Sequence, residues 1–295
     1  MGFSFLSSYT LVNHLHRQPT PVAAPASSLL WEVTGKGLPA PSYLFGTFHF
    51  INSRFVVEHP MIEDKLQKTS AVVGEIVFDS TTTATLMRVG VMPGQTLDQL
   101  LSPADYQKTG AYLKQISGYD IALFKALKPM MLGATLMAME WQKSHPEQKA
   151  TDPAMDAYFQ EWARKNGKAV KSLETVEEQA KLLFDDLPLA RQTALLMEAV
   201  NKQEENRQLI RQMDSCYRSQ ALECLRGLLY GKSGYQPEEI KKLLDDRNQK
   251  WMNQLPTLFQ QRPTFVAVGA GHLVGEAGLI HLLRKQGYTV KPVKI

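Results

Sequence analysis

The chain has 295 residues, of which 44% are hydrophobic and 21% charged, with 33 basic side chains against 29 acidic ones. This is the composition of a folded protein with a real core. The small, scattered positive excess gives no argument for a nucleic-acid partner or an anionic membrane surface. No apolar run approaches the ~20 residues that a membrane span needs, so no transmembrane segment is expected.

Residues 1–28 read as a tail outside the fold. Phe3 to Leu15 is mildly apolar but interrupted by Ser7, Ser8, Asn13 and His14, without the basic start of a clear signal peptide. Gln18 to Ser28 is a Pro/Ala/Ser-rich linker of the kind that follows an export signal or anchor. A remnant of an export signal, and hence an exported or periplasmic location, is the expectation.

From residue 29 the pattern is that of one α/β domain reaching residue 295. WEVT (31–34) and SYLFGTF (42–48) flank a Gly/Pro turn and read as a hairpin. A helix is expected near Pro60 to Lys68. Ala71 to Phe78 (AVVGEIVF) has the continuous apolar, β-branched character of a strand covered on both faces.

The region from about 100 to 260 is expected to be mainly helical. Ser102-Pro103 starts a helix that should run to about Ile116 before Gly118. Pro129 divides two apolar segments. Asp152-Pro153 opens another helix that Gly167 is placed to end. Lys168 to Leu173 is a short strand, and Thr175 with Glu178 makes a capping box. Helices continue to Gln261, with breaks at Leu187-Pro188 and Gly231 to Pro237. Strands return at Thr264 to Val268 and Tyr288 to Val293, around a helix from Gly278 to Lys285. The fold class is therefore α/β: a mostly parallel central sheet flanked by helices, with a large helical insertion.

The two cysteines, Cys216 and Cys224, fall on what reads as one helix. Eight residues of helix would separate their α-carbons by about 12 Å, too far for a disulfide. Two buried thiols are expected, and pairing would require the helix to break.

Chemistry concentrates where strands end. Tyr43-Leu44-Phe45 runs into Gly46-Thr47-Phe48-His49, and Phe265 to Val268 runs into Gly269-Ala270-Gly271-His272. Ala71 to Val73 leads to Gly74-Glu75, and Val170 to Leu173 leads to Glu174. In open parallel sheets these carboxyl ends share the edge where ligands bind. Gly46 and Gly269 are expected to let the chain turn sharply, or adopt a positive φ, so that each histidine projects over that edge.

His49, His272 and Glu75 form a sensible ligand set for zinc, manganese or cobalt. A bound ion would generate a hydroxide nucleophile, with Glu75 or Glu174 as general base. Arg247 sits in the apolar stripe Ile240, Leu244, Trp251 and Leu255. A buried guanidinium needs a carboxylate partner, for which Glu75 and Glu174 are the candidates, unless it binds a substrate carboxylate or oxyanion. No zinc-protease His-Glu-x-x-His, Walker loop or Gly-x-Ser-x-Gly elbow is present.

Simpler readings stand beside these. The two histidines could be hydrogen-bonded strand-end residues, Glu75 an ion-pair partner, and Glu174 or Glu276 a first-turn carboxylate. His14, His16, His59, His145 and His281 read as solvent-facing or packing residues, and Met130, Met131, Met137 and Trp141 as core.

WEVTGKG (31–37), YLFGTFH (43–49), GEI (74–76), SLETVEEQ (172–179), DDRNQKW (245–251) and VAVGAGHLVGEAGL (266–279) resemble the TraB/GumN family, which includes the Tiki metalloproteases. The resemblance covers about residues 29–295. It implies divalent-metal-dependent peptidase activity with His49, Glu75 and His272 at site positions, and Arg247-Asn248 at the matching Arg-Asn pair. Many bacterial members begin with a clear signal peptide, and this chain departs from that pattern. The expected activity is hydrolysis of a peptide or small-molecule substrate; a non-catalytic peptide or haem binder of the same fold, or a metal-free His-based esterase, are the alternatives.

Overall fold

A computed structural model describes residues 27–148 and 151–295. The expected tail lies almost wholly outside the described residues. Ser28, at its end, is buried; its hydroxyl donates to Val293 O at 2.6 Å and accepts from the Leu30 amide at 3.0 Å.

Among the described residues six strands form one mixed sheet: β1 (Leu30–Thr34), β2 (Ser42–Thr47), β3 (Ala71–Gly74), β4 (Ala169–Ser172), β5 (Thr264–Gly269) and β6 (Thr289–Val293), in the order β4-β3-β5-β2-β1-β6. The neighbours β4/β3, β3/β5 and β5/β2 are parallel, while β1 is antiparallel to both β2 and β6. Only β1 therefore runs against the rest. The central strands β2, β3 and β5 are buried almost throughout, as continuous apolar runs covered by helices on both faces should be.

The expected elements appear with informative differences. The hairpin, the capping box at Thr175 and the Ser102 cap all form. The strand expected to reach Phe78 stops at Gly74. Beyond it, the side-chain amide of Gln160 takes the place of a strand neighbour, donating to Ile76 O (2.7 Å) and accepting from the Phe78 amide (2.9 Å). Met137 is exposed rather than core, whereas Trp141 is buried.

The cysteine expectation is corrected: Cys216 and Cys224 are joined in a disulfide, with α-carbons 5.8 Å apart. One helix ends at Arg218 and the next begins at Leu222, with Gln220 between them in a left-handed conformation (φ 58°). No glycine or proline marks this reversal, so the local sequence reads as continuous helix.

Among the described residues, apolar side chains gather in two clusters. The larger surrounds the sheet and includes Phe45, Phe159, Trp251 and Phe265. The smaller lies within the helical insertion, where Leu97, Leu113, Leu132 and Leu136 meet Leu196 and Val200.

Candidate active site

The parallel arrangement of β2, β5, β3 and β4 carries the residues that follow them to one edge of the sheet. Glu75 and Glu174, just beyond β3 and β4, are both buried there. Arg247 binds them together. Its Nη2 donates to Glu75 Oε2 and to Glu174 Oε1, each at 2.5 Å, and its Nε to Glu174 Oε2 at 3.2 Å. Both carboxylate partners considered from sequence are thus used at once.

Gln179 crosslinks the same pair, donating to Glu75 Oε2 (2.9 Å) and Glu174 Oε1 (3.1 Å). Burial alone would push the Glu75 carboxyl up. The Arg247 guanidinium, the two imidazoles and the Gly269 amide outweigh it and hold that carboxyl well below the usual carboxylate range. Burial opposes the charge on Arg247 too, but the two carboxylates raise its pKa. Arg247 follows a π-helical stretch, Lys241–Asp245, a helix variant frequent at functional sites.

His272 is 3% exposed. Arg247 Nη1 lies 2.9 Å from its Nε2. Guanidinium can only donate, so Nε2 accepts and the ring proton sits on Nδ1, which donates to Asn248 Oδ1 at 2.8 Å. Asn248 is oriented in turn by donating to the carbonyls of His272 and Ala277. Burial pushes this imidazole down to about 3, with Arg247 and His49 adding to the effect against Glu75. The ring is neutral, packed 4.4 Å from the Trp251 ring.

His49 has the opposite surroundings. Its side chain is 65% exposed, and its Nδ1 lies 2.9 Å from Asp156 Oδ2. Thr47 donates to the other Asp156 oxygen at 2.6 Å. Asp156 pushes the His49 imidazole from 6.5 up to about 9, against desolvation. Asp156, Gln160 and Gln179 were not singled out from sequence. The first two lie with Phe159 and Ala163 on the buried face of the helix Met155–Lys165; polar residues in an apolar stripe were the available signal.

Of the two alternatives expected for the motif glycines, positive φ does not occur, while Gly269 does end β5 directly at a turn. A Cβ on Gly46 would come within 3.0 Å of Ala270 Cα and Leu273 Cδ1, so this glycine permits close packing of β2 against the turn after β5. A Cβ on Gly269 would meet Glu75 Oε1 at 3.3 Å, His272 Cδ2 at 3.7 Å and His49 Nε2 at 3.9 Å. The space beside Gly269 that a side chain would fill is therefore bordered by both histidine rings and Glu75. A small hollow opens alongside, lined by His49, Glu75, Ile76, Phe78, Asp156 and Gln160 among others.

The donors suit a divalent ion in kind. Each histidine has its Nδ1 fixed by an oxygen acceptor, the arrangement that orients metal-binding imidazoles. Glu75 and Glu174 also share a single guanidinium, an excess of negative charge that a cation would balance. In position the match is partial. His49 Nε2 and Glu75 Oε1 face one point, but Arg247 holds His272 Nε2, and no group of three potential ligands is close enough to grip an ion among the described residues. The remaining histidines lie elsewhere: His59 and His145 stack on Phe55 and Trp141, and His281 pairs with the exposed Glu276. His14 and His16 fall outside the described residues.

Among the described residues no helix is long and apolar enough to cross a membrane. The chain is 24% identical to Metalloprotease TIKI1 of Danio rerio over 90% of its own length and 63% of that protein. It is 25% identical to Metalloprotease TIKI homolog of Nematostella vectensis, over 91% of this chain and 67% of the relative. Metalloprotease TIKI2 of Danio rerio is 24% identical over 90% and 61%. The chain thus spans somewhat under two thirds of the length of the Danio relatives. No solved structure gives a significant match. The pattern of the TraB/PrgY/gumN family matches residues 29–292, nearly all of the described chain, and the chain belongs to that family.

Proposed function

We propose that this chain hydrolyses peptide bonds at the strand-edge cluster, with manganese, cobalt or zinc as cofactor. The observation that carries the reading is that His49 Nε2, Glu75 Oε1 and the His272 ring border the one space left free by the missing side chain of Gly269. The names of the relatives add support. His49 and Glu75 would hold the ion, and His272 would join them by releasing Arg247. Bound there, an ion would acidify a water and polarise a peptide carbonyl.

The chain's own groups supply the rest. Asp156 and Asn248 keep the Nε2 atoms of His49 and His272 directed at the site. The low pKa of Glu75 suits a ligand better than a general base, which works best near the operating pH. Arg247 offers positive charge to an oxyanion developing on the carbonyl oxygen. Gly269 leaves room for the reacting atoms.

Mass spectrometry of a peptide library incubated with the metal-loaded protein tests this. Cleavage that His49→Ala and Glu75→Gln abolish, with loss of bound metal, is expected. No cleavage under manganese, cobalt and zinc would overturn the proposal. A specific observation favours a second reading, a metal-free binder of peptides or haem: Arg247 already satisfies His272, Glu75 and Glu174 without an ion. Stoichiometric peptide or haem binding that resists chelation and gives no turnover would favour it.

The disulfide supports export, since such bonds persist in oxidising compartments. Alkylation of thiols at cell lysis should find Cys216 and Cys224 bonded; free thiols would remove that part of the proposal.

A further inference from the structure

The disulfide and the residue beside it have no part in the chemistry above, yet contacts join them to the first Gly-x-x-His turn. Cys216 and Tyr217 lie in the last turn of the helix Gln203–Arg218. The chain then reverses: the amide of Gln220 donates to Tyr217 O and that of Ala221 to Cys216 O, both at 2.8 Å. Gln220 holds a left-handed conformation, in which its Cβ crowds the following carbonyl. Such a corner needs restraint, and the bond from Cys216 to Cys224 in the next helix supplies it.

Tyr217 is completely buried. Its hydroxyl donates to Gly46 O at 2.7 Å, and its ring stacks on Phe48 with centroids 5.5 Å apart. Gly46 and Phe48 are the first and third residues of the turn that ends at His49. The same hydroxyl lies 3.3 Å from Met155 Sδ, one residue before Asp156, the partner of His49. One side chain therefore touches both segments whose meeting orients His49: the end of β2 and the first turn of the helix Met155–Lys165.

We infer that Tyr217 is a positioning residue for His49, and that the Cys216–Cys224 bond fixes its place, so that the redox state of this cysteine pair is felt at the first Gly-x-x-His turn. The pair is open to reagents on one side, since Cys216 is buried but Cys224 is exposed. A small dithiol attacks a sulfur of the pair through a mixed disulfide. It gives up two electrons and two protons and leaves as a cyclic disulfide, while the protein gains two thiols. The inference does not depend on which substrate the site takes.

Amide hydrogen exchange across the whole chain tests it. Tyr217→Phe removes the hydroxyl and keeps the ring. It should speed exchange at residues 46–49 at least about tenfold, while residues 72–74 and 265–267 keep their protection. Wild-type protein reduced with dithiothreitol, and the Cys216→Ser/Cys224→Ser variant, should show the same local change. In the Tyr217→Phe background, breaking the disulfide should add nothing at this turn, as two members of one chain of contacts behave. No acceleration in Tyr217→Phe overturns the inference, as does acceleration spread evenly over the sheet. Full additivity, or global unfolding on reduction, overturns the role given to the disulfide.

Discussion

The two Gly-x-x-His motifs are alike in sequence and opposite in physics. His272 is sealed from water, donates to a neutral amide and accepts from a guanidinium, so its imidazole is kept neutral. His49 stands open to water against a carboxylate, which favours the charged ring. A motif can place a side chain at a strand end; the residue that meets its second nitrogen decides what that side chain can do. One site thereby acquires a buried, rigid half and an open half that can exchange protons with solvent.

The largest predicted effect falls on the buried half. Arg247→Leu leaves two buried carboxylates without their cation and should cost about 3–5 kcal/mol, measured by denaturant unfolding. A loss under 1 kcal/mol would mean that water or another cation takes over. On the open half, Asp156→Asn should lower metal affinity or peptide cleavage by about 10–100-fold, as loss of a group orienting a ligand does, with far less effect on unfolding.

The glycines sharpen the contrast. Gly46→Ala must push apart β2 and the Ala270 turn and should cost about 1–3 kcal/mol. Gly269→Ala has an ordinary φ of −50° and only the site atoms to meet. It should leave unfolding nearly unchanged while lowering activity at least about tenfold. Equal stability losses in the two variants would break the assignment of one glycine to packing and the other to the site.

The smallest effects are those of pH on stability. The His49 pKa is raised, so its pairing with Asp156 stabilises the fold fully below an unfolded value of about 6.5 and fades as pH rises through about 9. The stability gap between wild type and Asp156→Asn should therefore be wider at pH 6 than at pH 10. Glu75 is depressed, so its contribution is present above about 4.3 and declines in more acid solution. Unfolding measured against pH, with Glu75→Gln as reference, should show that gap narrowing toward acid.

These contrasts also mark what could be read from sequence. The strand ends were legible because apolar runs stop at glycine and a polar residue, and parallel packing brings such ends together. Arg247 was legible as a charge in an apolar stripe. Asp156 and Gln160 carried the same signal, at spacing i and i+4 beside Phe159 and Ala163, but belonged to no motif. The helix break at Ser219–Ala221 had no local mark, because Gln220 is held in its conformation by contacts outside its own segment. Nor did the spacing of the histidines reveal Arg247 on His272 Nε2, since that contact joins residues from separate elements.

The same motif, built twice, holds its two imidazoles in different protonation states at a shared centre. A nitrogen-15 NMR titration of the histidine rings in the metal-free protein distinguishes the two. His49 should stay protonated until the pH nears about 9, while His272 should remain neutral, with its proton on Nδ1, down to about 3. If both rings titrate together near the ordinary value of about 6.5, the two halves share one environment and the account is wrong.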